Sequence, residues 1–266
     1  MHRKEREMDK QDVSRDVQVR ELERAALKIR ENLLELCSQQ MIHIGGDLSV
    51  ADVMTALWQY QMRYDPKNED RDRFILSKGH AAAVTSFNQA AIGCYDVQDI
   101  YKEYAHDNGR FAMHSCNLIN PHVEVSTGSL GHGLPVAGGV AQALKLKVIT
   151  TSRVYVVMGD GEQGEGSIWE AVMNAAHYKL GNLVGIIDNN RLGFDGSLEE
   201  VTGLGDIADK YRMFGWNVVE IDGNDMSQIL DAFDNLPPVN FDKPTVIVCH
   251  TVKGHGVDFM ENQVKW

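Results

Sequence analysis

The sequence predicts an α/β fold, with a central, mostly parallel sheet flanked by helices, on three observations. Four short apolar, β-branched runs, Val154 to Met158, Leu183 to Ile187, Val218 to Ile221 and Thr245 to Val248, are separated from one another by helix-length segments. That alternation is what βαβ units produce. Upstream, Val19, Leu22, Ala26, Ile29, Leu33 and Leu36 recur at alternating three- and four-residue steps, which places them on one face of a helix. Finally, two turn-forming sequences, Gly159-Asp160-Gly161 and Asp188-Asn189-Asn190, each stand directly after a predicted strand.

The remaining elements follow in order. Leu48 to Tyr60 reads as a second amphipathic helix with Ser49 as its N-cap. Arg73 to Leu76 reads as a short strand running through Ser77-Lys78-Gly79-His80 into an Ala-rich helix. From about Tyr95 to Leu134 the periodicity is weak, and Gly, Asn, His and Pro are frequent, so long functional loops are expected there. There is no repeat, low-complexity tract or interdomain linker. The expectation is one domain over 17–266 behind a charged leader over 1–16.

Composition narrows the function. The chain has 266 residues, 43% hydrophobic and 24% charged, with a formal net charge of −12. So acidic a surface repels nucleic acid and anionic membranes, and neither is expected as a partner. No apolar run approaches the roughly 20 residues that cross a bilayer, and the leader lacks the apolar stretch of a secretory signal. Cys37, Cys94, Cys116 and Cys249 are scattered without a C-x-x-C pair, which suits reduced thiols in a cytoplasmic protein.

The two turns carry the chemistry. In a right-handed βαβ unit, consecutive strands end on the same carboxyl edge of the sheet, where open α/β sheets bind ligands. Asp160 and Asn190, about thirty residues apart, could therefore reach one ion. A carboxylate, an amide oxygen and the loop Asn190-Arg191-Leu192 are hard oxygen donors, suited to Mg²⁺ or Ca²⁺ and not to zinc. Gly161 lacks a Cβ, so its backbone could approach a diphosphate.

Gly-Asp-Gly followed after that interval by Asn-Asn resembles the thiamine-diphosphate enzyme fingerprint. Four further segments make the resemblance closer to the transketolases: Gln40-Met41-Ile42-His43-Ile44-Gly45-Gly46, Leu76-Ser77-Lys78-Gly79-His80, Ser126-Thr127-Gly128-Ser129-Leu130-Gly131-His132-Gly133, and Gly159-Asp160-Gly161-Glu162-Gln163-Gly164-Glu165-Gly166. The resemblance implies the thiamine-diphosphate-binding fold and transfer of a two-carbon ketol unit from a ketose to an aldose, with phosphorylated sugars expected. It further implies that Asp160, Asn190 and the carbonyl of Leu192 hold Mg²⁺, with Ca²⁺ or Mn²⁺ as substitutes. Gly161 and His80 then contact the diphosphate, Gly128, Ser129 and Leu130 lie along the aminopyrimidine, and His43 and His114 face the sugar. Histidines suit proton exchange with sugar hydroxyls because they titrate near neutrality. Glu165 resembles the acid that couples paired active sites. His132 stands where many full-length transketolases carry glutamine, and the role of His255 stays open between substrate contact and loop structure.

The same resemblance implies that the glutamate that protonates the aminopyrimidine belongs to a second, pyrimidine-binding domain. The expectation is therefore a separate subunit carrying that domain, with two copies of each chain in a heterotetramer. Two alternatives are another thiamine enzyme subunit, of deoxyxylulose-phosphate synthase or 2-oxoacid dehydrogenase type, and a non-catalytic Mg²⁺-diphosphate-binding partner.

Overall fold

The computed structural model describes residues 14–149 and 151–266, so the charged leader falls, for residues 1–13, outside the described residues. Five strands, β1 (Arg73–Leu76), β2 (Val154–Gly159), β3 (Leu183–Asn189), β4 (Asn217–Asp222) and β5 (Thr245–His250), form one sheet in the order β1-β2-β3-β5-β4. Every pairing is parallel. All five strands therefore end on one edge.

Alternation along the strands divides the core into two layers. Tyr155, Val157, Val184, Ile186, Ile247 and Cys249 point to one face, whereas Val154, Val156, Met158, Leu183, Ile187, Val246 and Val248 point to the other. Strands buried on both faces read as continuous apolar runs, which is why the sequence shows runs and not an alternating pattern.

The first face is covered by α1 (Arg15–Gln39), α2 (Ile44–Ser49), α3 (Ala51–Ala56), α4 (Ala82–Ala91) and, farther along the chain, a helix at Met226–Asp234. Helix α5 (Val97–Glu103) packs on α4. The second face carries α6 (Gly133–Leu146), α7 (Gly166–His177) and α9 (Ile207–Met213), and the single turn α8 (Leu198–Val201) precedes α9. Helix α1 buries Leu22, Ala26, Ile29, Leu33 and Leu36, the stripe expected from their spacing.

The second amphipathic run departs from expectation. It is broken at Val50, which caps α3, and its end winds into a π-helical stretch over Leu57–Gln61. Ser49 lies inside α2 and is not an N-cap. Its hydroxyl instead donates to Gly46 O (3.1 Å) and to the Asp188 carboxylate (2.6 Å). A local cap was the expected role for a serine before an apolar run, but a buried carboxylate from β3 is the better acceptor. The segment Tyr95 to Leu134, expected to be loops, departs from expectation at its start, where Asp96 caps α5 over Val97–Glu103; only between α5 and α6 is no helix or strand formed.

Leu33 is fully buried between α1 and the layer that carries the first-face helices. Leu33→Ala should lower unfolding stability by about 2–5 kcal/mol, measured by denaturant titration. A loss below about 1 kcal/mol would mean that α1 is an appendage to the core.

Candidate functional site

The loops after β1, β2, β3 and β5 converge above the carboxyl edge. Ser77 and Lys78 leave β1, Asp160 to Glu162 leave β2, Asn190 to Gly193 leave β3, and Thr251 to Lys253 leave β5. They enclose a cavity of about 300 Å³. His43, His80 and His114 line it together with Gly128, Leu130, Asp160, Gly161, Asn190 and Leu192. Ser129 and Glu165 do not line it, and both are exposed. His132 is exposed, with Nδ1 3.1 Å from Leu130 O, and His255 is turned toward Glu261 at 3.3 Å.

The three histidines form one cluster. The ring of His43 lies edge-on to both His80 and His114, with centroids 5.5 Å apart in each pair. They come from the start of α2, the 3₁₀ turn Gly79–Ala81 and the long loop before α6. Burial, the Lys78 ammonium and the other two rings push the pKa of His80 down to about 3. That of His43 is lowered by burial and then by His114 and Lys253. A ring kept neutral, as burial favours for His43 and His80, offers both a donor and an acceptor nitrogen.

Two glycines permit the close approach. A Cβ on Gly46 would meet the His80 ring at 3.2 Å, and one on Gly79 would meet Gly128 N at 2.8 Å. These contacts draw α2 onto His80 and the 3₁₀ turn onto the Gly128 loop.

Carboxylates surround the floor of the cavity, each in a different state. Asp160, 3% exposed, accepts from Gly161 N (2.8 Å) and Arg191 N. Burial and the neighbouring Asp188 raise its pKa to about 7. Its negative charge thus lacks full compensation. Glu162 is buried too, but its two oxygens accept from Gly159 N (2.9 Å), Gly131 N (2.8 Å) and Ser77 Oγ. Burial raises its pKa as well.

Asp188, fully buried at the end of β3, accepts from Lys78 Nζ, Ser49 Oγ, Thr251 Oγ1 and Asn190 Nδ2. Burial alone would raise its pKa, but Lys78 and these donors hold it below the usual carboxylate range. The Asn190 amide, whose nitrogen is taken by Asp188, turns Oδ1 toward Leu192 N at 3.0 Å.

Among the described residues no group of three His, Cys, Asp or Glu side chains is placed to hold a metal. A cation here would instead draw on one carboxylate, one amide oxygen and backbone carbonyls, a donor set that suits Mg²⁺ or Ca²⁺. The uncompensated Asp160 carboxylate fits such an ion. Lys253, lining the same cavity, brings a cation whose pKa is lowered by burial and by Lys78. Lys78, Asp188, Glu162 and Lys253 had no role assigned from the sequence. All stand in or next to quoted motifs, yet only the folded arrangement shows which charges meet.

A larger cavity, about 530 Å³, opens on the other side of the 190–206 segment, against α9, Glu220 and His250. It contains neither Asp160 nor any of the three clustered histidines. The candidate residues named from the sequence that line a cavity gather at the smaller one.

An open parallel sheet with a cavity lined by three clustered histidines, the Asp160 carboxylate and the Asn190 amide above its carboxyl edge has the form of a ligand-binding α/β domain. The sequence profile of the transketolase thiamine-diphosphate-binding domain matches residues 30–265. One of the subunits of the apulose-4-phosphate transketolase of Phocaeicola vulgatus is 42% identical over 256 residues, covering 94% of this chain and 89% of that one. The 6-deoxy-6-sulfo-D-fructose transketolase subunit SqwG of a Clostridium species is 33% identical, covering 92% and 89%.

Among solved structures, the Pichia stipitis transketolase complex with sedoheptulose 7-phosphate superposes with a TM-score of 0.82 at 32% identity, covering 88% of this chain and 36% of that one. Campylobacter jejuni transketolase gives 0.84 at 26% identity, covering 93% and 40%. The chain therefore belongs to the transketolase family and carries its thiamine-diphosphate-binding domain. It spans a little over a third of the length of those solved transketolase chains.

His80 should stay neutral across the working range, because its pKa lies near 3. In the free chain, its ring signals in an NMR titration should not move between pH 8 and pH 5. A midpoint above pH 5 would show that the cavity is wetter than the packing indicates.

Proposed function

We propose that this chain is the diphosphate- and metal-binding subunit of a two-subunit transketolase, completed by a separate chain carrying the pyrimidine-binding domain. The binding domain is residues 17–266, behind a charged leader over 1–16. The observation that supports this most strongly is the convergence of the three-histidine cluster on the buried Asp160 carboxylate within one cavity. Relatives of matching length whose names call them transketolase subunits support the division into two chains.

Thiamine diphosphate, when bound, supplies a nucleophilic thiazolium carbon that takes up and hands on the two-carbon ketol unit. Asp160 Oδ, Asn190 Oδ1 and the carbonyl of Leu192 hold Mg²⁺, for which Ca²⁺ or Mn²⁺ can substitute. Gly161 N–H and His80 contact the diphosphate, and Lys253 adds a positive charge facing it. Gly128, Ser129 and Leu130 flank the aminopyrimidine.

His43 and His114 face the sugar hydroxyls. A neutral imidazole can accept a proton from one hydroxyl while donating a hydrogen bond to another, which is the work the transfer needs on both donor and acceptor, and burial favours that form for His43. Glu165, exposed just before α7, couples this site to a second one in an assembly of two copies of each chain.

The substrates are a ketose and an aldose. Two relatives of this size carry the names of different donors, apulose 4-phosphate and 6-deoxy-6-sulfofructose. Donor identity is accordingly set outside the residues that this domain shares with both. Among the described residues no helix is long and apolar enough to cross a membrane, and a cytoplasmic location fits the reaction.

Two outcomes are expected. Mixed with its pyrimidine-domain partner, Mg²⁺ and thiamine diphosphate, the chain should transfer ketol units from a ketose phosphate, and alone it should not. Full activity of the lone chain would overturn the two-chain reading. Asp160→Ala should weaken thiamine diphosphate binding about 100-fold by calorimetric titration. That is the loss of roughly 3 kcal/mol of charge-assisted interaction, and unchanged affinity would remove Asp160 from the metal site.

A further inference from the structure

The proposed metal ligand Asp160 has a second carboxylate beside it. Gly159 and Asp188 are register partners on neighbouring strands, and Asp160 N donates to Asp188 O at 3.1 Å. Two buried carboxylates and the Asn190 amide would make a donor set able to hold a bare divalent cation. The two differ in their partners. Asp188 Oδ2 accepts from Lys78 Nζ, Ser49 Oγ (2.6 Å) and Asn190 Nδ2 (3.2 Å), and its Oδ1 accepts from Thr251 Oγ1, so its charge is matched by a buried ammonium. Asp160 has only two protein donors, Gly161 N and Arg191 N.

Lys78 is what neutralises Asp188. Its ammonium is almost wholly buried and is fixed on the other side by Gly46 O at 3.0 Å, so it cannot swing away into solvent. It stands where the charge of a second cation would otherwise be needed.

We propose that Lys78 makes metal retention conditional on the diphosphate: by occupying Asp188 it leaves a one-carboxylate site that holds a cation firmly only when phosphate oxygens complete the coordination. Lys78 is thus a positioning residue that selects a metal–diphosphate complex over the bare metal. The inference rests on the reading of Asp160, Asn190 and Leu192 as the metal site. It adds the charge that sets what that site will accept.

The test measures Mn²⁺ binding to the full chain by the loss of the free-ion EPR signal, with and without thiamine diphosphate, for the wild type, Lys78→Met and the double variant Lys78→Met/Asp188→Asn. The wild type should bind Mn²⁺ at least about tenfold more tightly with the cofactor present. Lys78→Met should bind Mn²⁺ alone at least about tenfold more tightly than the wild type does, and the double variant should return to cofactor-dependent binding.

A folded Lys78→Met chain whose affinity for Mn²⁺ alone matches the wild type overturns the proposal. If that variant is unfolded by circular dichroism, refolding on addition of Mn²⁺ supports it. Failure to refold with Mn²⁺, while the double variant folds without it, overturns it. A wild-type chain that binds no Mn²⁺ even with thiamine diphosphate would instead reject the metal-site reading itself, a result read in a separate arm of the same experiment.

Discussion

The buried ion pair between Lys78 and Asp188 is the constraint on which the site depends. Asp188 ends β3, and its carboxylate gathers donors from α2 through Ser49, from the turn after β1 through Lys78, from its own loop through Asn190 and from the turn after β5 through Thr251. Lys78 extends the network to the backbone of Gly46. Charges this deep are tolerated only when paired and fully hydrogen-bonded. Removing either partner from such a pair typically costs about 3–5 kcal/mol, because the other is left buried and uncompensated. One pair thus joins four segments that the chain separates widely.

From that joint the chemistry follows. Holding Gly46 places α2, and with it His43, against the His80 ring. Holding Asn190 Nδ2 turns its Oδ1 away from Asp188 and toward the loop that ends in Leu192. The ammonium of Lys78 also contributes to keeping His80 neutral. Asp160, by contrast, is left with two backbone donors and a raised pKa. Two carboxylates one strand apart therefore take opposite parts, one as a structural anchor and one as the open group that the proposed metal site uses.

Much of this was legible in the sequence because the relevant spacing is short-range or follows the sheet. Asp160 and Asn190 end consecutive strands of one βαβ unit, so topology alone brings them together. The α1 stripe and the five strands were readable for the same reason, since side-chain periodicity is local. The ion pair was not, because Lys78 and Asp188 are 110 residues apart and nothing local distinguishes a lysine that folds inward from one that stays in water. Ser49 was misread on the same ground: its acceptor lies 139 residues away, while the N-cap role is the local expectation. The π-helical end of the second helix likewise reflects packing of Trp58 in the core and not any breaker in its sequence. Ser129 and Glu165, named through resemblance, stay exposed in the single chain.

The most direct test is a crystal structure of the two-chain complex grown with thiamine diphosphate and Mn²⁺, with anomalous scattering used to place the ion. The account predicts one strong peak within coordination distance of Asp160 Oδ, Asn190 Oδ1 and the Leu192 carbonyl, with Asp188 still paired to Lys78. A peak bound by Asp188, or one placed in the larger cavity beside Glu220 and His250, would contradict it.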